Sequence, residues 1–123
     1  MPLKAVLIED NENNRYLLTL LLRHAGFEVV AATDGRSGIE TVRREAPHVV
    51  LLDIQMPEMD GYEVAAALKN DPHLAHIPVV GVSSFAMPGD RDRAMRAGFA
   101  GYIEKPVDPE RFAQSVMAFL QGK

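Results

Sequence analysis

The sequence predicts an α/β protein of the flavodoxin-like (βα)5 type, a three-layer sandwich around one parallel sheet. Three observations predict it: short apolar runs recur along the 123 residues, helical patterns separate these runs, and polar residues follow them. Parallel strands buried on both faces have nearly continuous apolar sequences, and their alternation with helices is typical of βαβ units. With right-handed crossovers, the common order of five such strands is 2-1-3-4-5.

The predicted strands are short apolar segments: Lys4–Glu9, Phe27–Ala32, His48–Asp53, Pro78–Ser83 and Gly101–Glu104. The predicted helices follow them, with bounds near 13–25, 35–46, 61–70 and 90–97 and a fifth helix that starts at 109. Each has a start or stop signal, such as a capping residue, a glycine or a proline.

For two of these helices, the spacing of apolar residues predicts which side chains face the core. The first helix is expected to bury one stripe by its spacing: Leu17, Leu20, Leu21 and Ala25. The fifth is expected to begin with Asp108 as its cap and Pro109 at its first position. Its core stripe is expected at i, i+4, i+7 and i+8: Phe112, Val116, Phe119 and Leu120.

Composition limits the functional classes. With 47% hydrophobic and 24% charged residues, residues 1–123 are expected to form one globular domain. The net charge of -4 argues against a nucleic-acid partner. The absence of cysteine excludes disulfides, zinc–thiolate sites and thiol catalysis. Apolar stretches are too short to span a membrane and no signal peptide is evident, so a cytoplasmic location is expected.

Polar side chains stand at the ends of four predicted strands. Glu9 and Asp10 end the first apolar run, Asp53 ends the third, Ser83 ends the fourth, and Lys105 follows the last. Because the carboxyl ends of parallel strands meet at one edge of a sheet, these side chains are expected to converge.

Three neighbouring carboxylates repel one another, and a divalent cation compensates for this repulsion. Mg²⁺ prefers oxygen ligands and keeps several waters. Asp10 and Asp53 are expected to bind it directly and Glu9 through water, with backbone carbonyls of residues 54–56 completing the shell. Each acid taken alone could be a solvated loop residue or a helix cap, but their joint placement favours a metal site.

The remaining groups indicate phosphoryl chemistry at Asp53. An aspartate can act as a nucleophile and form an acyl phosphate while a metal offsets the charge. Lys105 would then hold one phosphoryl oxygen as a point charge, and Ser83 would donate its hydroxyl to another. The alternative for Lys105 is a simple counter-ion, and Ser84 is expected only to satisfy local backbone groups.

Five segments of the sequence resemble motifs of a known family: Val6–Asn11, Leu52–Pro57, Met59–Gly61, Val82–Ser84 and Tyr102–Pro106. In this order and spacing they resemble the receiver domain of two-component response regulators over essentially the whole chain. The segment Phe85–Asp90 is similar to single-domain receivers of the DivK type and to receivers of hybrid kinases.

The resemblance implies that Asp53 accepts phosphate from the phosphohistidine of a histidine kinase or a histidine phosphotransfer protein. It implies Mg²⁺ bound by four residues: Glu9, Asp10, Asp53 and, through its backbone carbonyl, Gln55. Ser83 and Lys105 would contact the phosphoryl oxygens, and the Lys105–Pro106 peptide bond is expected to be cis.

The resemblance also implies a switch and its output. Ser83 and Tyr102 are expected to move together on phosphorylation, and Gln55 and Phe85 to tune hydrolysis of the aspartyl phosphate. The face formed by helix 4, strand 5 and helix 5 would then contact a downstream effector protein. A monomer or a weak homodimer is expected.

Other functions remain as alternatives. A phosphatase with an aspartate nucleophile typically has an acid two residues later, where this chain has Gln55. A flavin module would need a phosphate-binding loop where Glu9 and Asp10 would repel phosphate. A receiver-like domain that takes no phosphate would not need the complete set of site residues. We therefore expect a signalling module, not an enzyme, which catalyses only its own phosphorylation and dephosphorylation.

Overall fold

Strands and helices alternate along residues 3–56, 58–84 and 88–121, the part of the chain that the computed structural model describes. Strands β1 to β5 span Lys4–Ile8, Glu28–Ala32, Val49–Asp53, Val79–Ser83 and Gly101–Glu104. Helices α1 to α5 span Glu12–His24, Gly35–Glu45, Gly61–Lys69, Asp90–Arg96 and Phe112–Gln121. All strand pairs are parallel, in the order β2-β1-β3-β4-β5. The predicted fold class and strand order are confirmed.

Helices cover both faces of the sheet, and this explains the continuous apolar strands. Every residue of β3 and β4 is buried. Alternate β3 residues belong to different cores: Val50 and Leu52 pack with residues of α2, α3 and α4, whereas Val49 and Leu51 pack with residues of α1 and α5. Polar groups can therefore be placed at the ends of these strands and not along them. No helix in the described ranges has the length and apolarity needed to cross a bilayer.

Helix α1 presents a different face to the core from the one predicted. Leu18 and Leu22 are buried, whereas Leu17 and Leu20 are 37% and 52% exposed. Leu21 is half-buried and Ala25 is exposed. The prediction was wrong because leucines at 17, 18, 20, 21 and 22 give several stripes with helical spacing, and periodicity alone does not choose between them.

Helix α5 begins at Phe112 and not at Pro109. Residues 109–111 form a turn, and the Asp108 carboxylate accepts a hydrogen bond from the Glu110 N–H at 3.0 Å. The Asp108 carbonyl accepts from the N–H of Phe112 at 2.9 Å, which closes the first helical turn. Asp108 is therefore a cap, but it caps the turn that leads into the helix. Phe112 and Val116 are buried as predicted, and the two later members of the stripe are partly buried.

Gly61 brings the start of α3 against the end of β3. Asp60 caps this helix in a capping box with Glu63, and the Gly61 N–H donates to the Ile54 carbonyl at 2.9 Å. A Cβ at Gly61 would lie 2.7 Å from Ile54 Cα and 3.1 Å from the Asp53 carbonyl oxygen. Both contacts are with backbone, so only a residue without a side chain allows this approach. It fixes the loop that follows Asp53.

We predict that Gly61→Ala destabilises the fold by about 2 kcal/mol, because overpacking against backbone forces the helix away from the strand. Urea unfolding followed by circular dichroism measures this change. A free energy of unfolding equal to that of the wild type would show that the approach of α3 to β3 is not tight.

Candidate functional site

Three carboxylates meet at the carboxyl edge of the sheet, as predicted. Oxygen atoms of Glu9, Asp10 and Asp53 lie within 4.8 Å of one another. Glu9 follows β1 and is completely buried, and Asp53 ends β3 and is 4% exposed. Asp10, the next residue after Glu9, is exposed. The cluster therefore has a buried base and a side that is open to solvent.

Lys105, directly after β5, completes the charge cluster. Its Nζ lies 3.0 Å from Glu9 Oε1 and 3.8 Å from Asp53 Oδ2. Its backbone N–H donates to the Ser83 carbonyl at 2.7 Å, and the Lys105–Pro106 peptide is cis, as expected. In this state Lys105 is a counter-ion to two buried carboxylates. Its predicted contact with a phosphoryl group stays a prediction.

The protonation of Asp53 reflects this environment. Burial raises its pKa from 3.8 to about 7, and the neighbouring Glu9 acts in the same direction. The Lys105 charge and the Gln55 N–H, which donates to Asp53 Oδ1 at 3.1 Å, oppose the increase in pKa. The positive charge of Lys105 therefore does not balance the negative charge of the Glu9 and Asp53 carboxylates at neutral pH.

The donor atoms fit a divalent cation. Carboxylate oxygens are ligands that Mg²⁺ prefers, and added positive charge would offset the cost of ionising Asp53. The open side of the cluster at Asp10 leaves room for waters, which Mg²⁺ retains. The expected part of the Gln55 carbonyl in the metal shell stays a prediction.

Arg15 supports the acidic loop, and sequence reasoning missed it. Its guanidinium Nη1 donates to the carbonyls of Glu9 at 3.0 Å and Asp10 at 3.4 Å. The N–H of Asn11, the cap of α1, donates to Glu9 Oε2 at 3.2 Å. The first turn of α1 therefore holds the loop that presents both acids. The signal in the sequence was a basic residue in the first turn of α1, shortly after the acidic pair Glu9–Asp10.

Ser83 ends β4 and is 1% exposed. Its Oγ accepts a hydrogen bond from Gln55 Nε2 at 2.7 Å, and Gln55 Oε1 accepts one from the Ser84 N–H at 2.9 Å. The sequence placed Ser83 at the site but gave no sign of this link to Gln55. Phe85, the other residue expected to tune hydrolysis, lies outside the described residues.

Tyr102, on the edge strand β5, is almost fully buried. It is 3% exposed, and its hydroxyl lacks a hydrogen-bond partner within the described ranges. The ring and Ser83 line one cavity of about 330 Å³. The two residues expected to switch together therefore line the same cavity, and their joint motion stays a prediction.

Helix α4 contacts two aromatic rings through its arginines. The Arg93 guanidinium lies 4.1 Å from the centroid of the Tyr62 ring, and that of Arg91 lies 5.5 Å from the Tyr102 ring. Tyr62 also packs edge-to-face with Phe99 at 5.7 Å. The sequence placed α4 on the face expected to contact an effector, but it did not predict these contacts.

The fold and the residues at the carboxyl edge of the sheet are those of a known class of protein. The model of the response regulator receiver domain matches residues 5–117. The chain belongs to this family, and it is a receiver domain of two-component phosphorelay signalling.

Individual proteins are similar to this chain in sequence or in fold. The polar-differentiation response regulator DivK of Brucella anthropi is 38% identical over 120 residues, which cover 98% of both chains. Chemotaxis protein CheY4 of Vibrio cholerae has the same fold, with a TM-score of 0.90, 24% identity and coverage of 97% and 99%. The receiver domain of sensor histidine kinase PA1611 of Pseudomonas aeruginosa has a TM-score of 0.88, 23% identity and coverage of 98% and 99%. That structure has a magnesium ion coordinated in its active site cleft.

The raised pKa of Asp53 gives a prediction about stability in the absence of divalent cations. The folded chain holds this proton more tightly than the unfolded chain. The contribution of this proton to the free energy of unfolding is therefore fully present below the unfolded pKa of 3.8, and it is lost as the pH rises through about 7. The asparagine in Asp53→Asn carries no charge. We therefore expect the free energy of unfolding of this variant to exceed that of the wild type by about 2 kcal/mol near pH 8.

Urea unfolding with a chelator present, at pH values from about 5 to 8, measures this difference. We expect the advantage of Asp53→Asn to shrink towards the acidic end of the range, while Asp92→Asn, a change at an exposed residue of α4, has no such pH dependence. An advantage that stays constant with pH would contradict the assigned ionisation.

Proposed function

We propose that Asp53 is the phosphoacceptor and that residues 1–123 form one receiver domain. Its phosphodonor is the phosphohistidine of a histidine kinase or a histidine phosphotransfer protein. The observation that carries this proposal is the convergence of Glu9, Asp10 and Lys105 on the carboxylate of Asp53. The chain is a signalling module that catalyses only its own phosphorylation and dephosphorylation.

In the transfer step, a carboxylate oxygen of Asp53 attacks the phosphorus atom. An O–P bond forms as the P–N bond to the donor imidazole breaks, and the imidazole nitrogen keeps the electron pair and takes up a proton. Lys105 would bind a phosphoryl oxygen with the ammonium that now lies beside Glu9 and Asp53. Ser83 would donate its hydroxyl to a second oxygen.

Mg²⁺ would be held by the carboxylates of Glu9, Asp10 and Asp53 and by the backbone carbonyl of Gln55. When bound, the ion supplies positive charge that offsets the charge of the carboxylates and the transferred phosphoryl group. The raised pKa of Asp53 supports this part of the proposal, because an ionised nucleophile at neutral pH needs such compensation. The magnesium ion in the PA1611 receiver domain also supports it.

The phosphodonor would dock on α1 beside the site. Tyr16, Leu17 and Leu20 are exposed apolar side chains on this helix, 70%, 37% and 52% exposed. Leu17 also lines a small groove with Lys105 and Pro106, so the apolar patch leads directly to the charge cluster. Exposed apolar patches of this kind mark sites of protein association.

The output would follow from the switch. A phosphoryl group adds about two negative charges, and Ser83 and Tyr102 would respond within the cavity they share. The face of α4, β5 and α5 would then contact a downstream effector protein. Hydrolysis tuning by Gln55 and Phe85, a monomeric or weakly dimeric state, and a cytoplasmic location stay predictions.

Phosphorylation by a small donor tests the nucleophile. The wild type, incubated with acetyl phosphate and Mg²⁺, is expected to gain one phosphate by intact mass. Asp53→Asn is expected to gain none, because it lacks the nucleophilic oxygen, while the surface control Asp92→Asn behaves like the wild type. Continuous phosphate release without an adduct would instead favour the phosphatase alternative.

A charged substitution on α1 tests the docking surface. Leu20→Arg places a cation in the exposed patch, so we expect phosphotransfer from a kinase, chosen because it phosphorylates the wild type, to slow at least about ten-fold. Phosphorylation by acetyl phosphate should not change, because the charge cluster is intact.

The matched control is His76→Arg, at an exposed position between α3 and β4, which should leave both reactions unchanged. Equal transfer rates for Leu20→Arg and the wild type would exclude the α1 patch as the donor surface.

A further inference from the structure

We propose that the side-chain amide of Gln55 is a positioning group that orients the hydroxyl of Ser83 for the phosphoryl group. This inference rests on the proposed function and adds a further role for the Gln55 side chain. It differs from hydrolysis tuning, because it concerns formation of the aspartyl phosphate and acts through Ser83.

Gln55 extends the pairing of β3 with β4. The last ladder bond runs from the Ile54 N–H to the Val82 carbonyl at 3.0 Å. Beyond it, the Gln55 amide bonds to two successive residues, Ser83 through Nε2 at 2.7 Å and Ser84 through Oε1 at 2.9 Å. A side chain therefore continues the connection between the strands where the backbone ladder stops.

The donor and the acceptor in each of these two hydrogen bonds are fixed by the chemistry of the groups. The Ser84 backbone N–H can only donate, so the amide oxygen of Gln55 must point towards Ser84. The amide nitrogen then points towards Ser83, whose Oγ must accept. Because a hydroxyl has a single hydrogen, this arrangement directs the Ser83 hydrogen away from Gln55. Gln55 thus holds the Ser83 oxygen and excludes its own direction for the hydrogen that Ser83 donates.

Gln55 also contacts the proposed phosphoacceptor. The Gln55 backbone N–H donates to Asp53 Oδ1 at 3.1 Å while its side chain holds Ser83. Ser83 is 1% exposed, so water does not readily replace a lost partner. Glutamine has both the length and the donor–acceptor pair that this bridge requires. Glutamate would lack the donor, and methionine would lack both.

Phosphorylation kinetics test the proposal. With acetyl phosphate and Mg²⁺, Gln55→Met is expected to slow formation of the adduct about five-fold, the effect of one oriented hydrogen bond. The matched control, Gln114→Met at an exposed position on α5, should react at the wild-type rate. The backbone groups of residue 55 are retained in the variant, so Mg²⁺ affinity measured by calorimetry should stay the same.

A double-mutant cycle separates an action through Ser83 from any other effect. In the Ser83→Ala background, Gln55→Met is expected to change the rate by less than about two-fold, because the group it orients is gone. A five-fold loss that persists without Ser83, or no loss in the wild-type background, would overturn the inference.

A structural measurement tests the bridge independently of phosphorylation. In the ¹H–¹⁵N spectrum of the unphosphorylated protein, Ser83→Ala is expected to shift the side-chain amide resonances of Gln55 and leave those of Gln114 in place. An unshifted Gln55 amide would overturn the inference, whatever the kinetics show. A wild type that takes no phosphate while the Gln55 amide shifts would instead contradict the proposed function and keep the bridge.

Discussion

The structure of the site depends on one buried charge cluster, in which the Lys105 ammonium lies between the carboxylates of Glu9 and Asp53. These groups come from the ends of β1, β3 and β5, so the cluster joins the centre of the sheet to its edge strand. Burial raises the pKa of Asp53 and the neighbouring Glu9 adds to the increase, so the single cation does not balance the two buried carboxylates. The proposed metal would supply the missing positive charge, and that charge would also offset the negative charge of a transferred phosphoryl group.

The neighbouring elements hold the cluster in place. Arg15 and the cap of α1 hold the acidic loop after β1, and Gly61 presses α3 against the residue that follows Asp53. The Lys105 N–H is bonded to the Ser83 carbonyl, so the two groups proposed to contact phosphate are joined through backbone. The groups of the site are therefore linked by hydrogen bonds and by close packing.

Much of this could be predicted from the sequence, for identifiable reasons. Apolar runs that end in acids predicted both the parallel sheet and the meeting of Glu9, Asp10 and Asp53, because strand ends share an edge. The buried face of α1 could not be predicted, because five closely spaced leucines allow several stripes. The bridge from Gln55 to Ser83 could not be predicted either, because it depends on side-chain directions across 28 residues of sequence.

The contact between Arg93 and Tyr62 has a consequence for partner choice at α4. The Tyr62 ring holds the Arg93 guanidinium 4.1 Å from its centroid, and such a contact contributes about 0.5–1 kcal/mol at an exposed site. An arginine held in this way would lose less side-chain freedom when a carboxylate binds it. A carboxylate that binds Arg93 where it already lies would keep the ring contact, whereas one that pulls the side chain away would lose it.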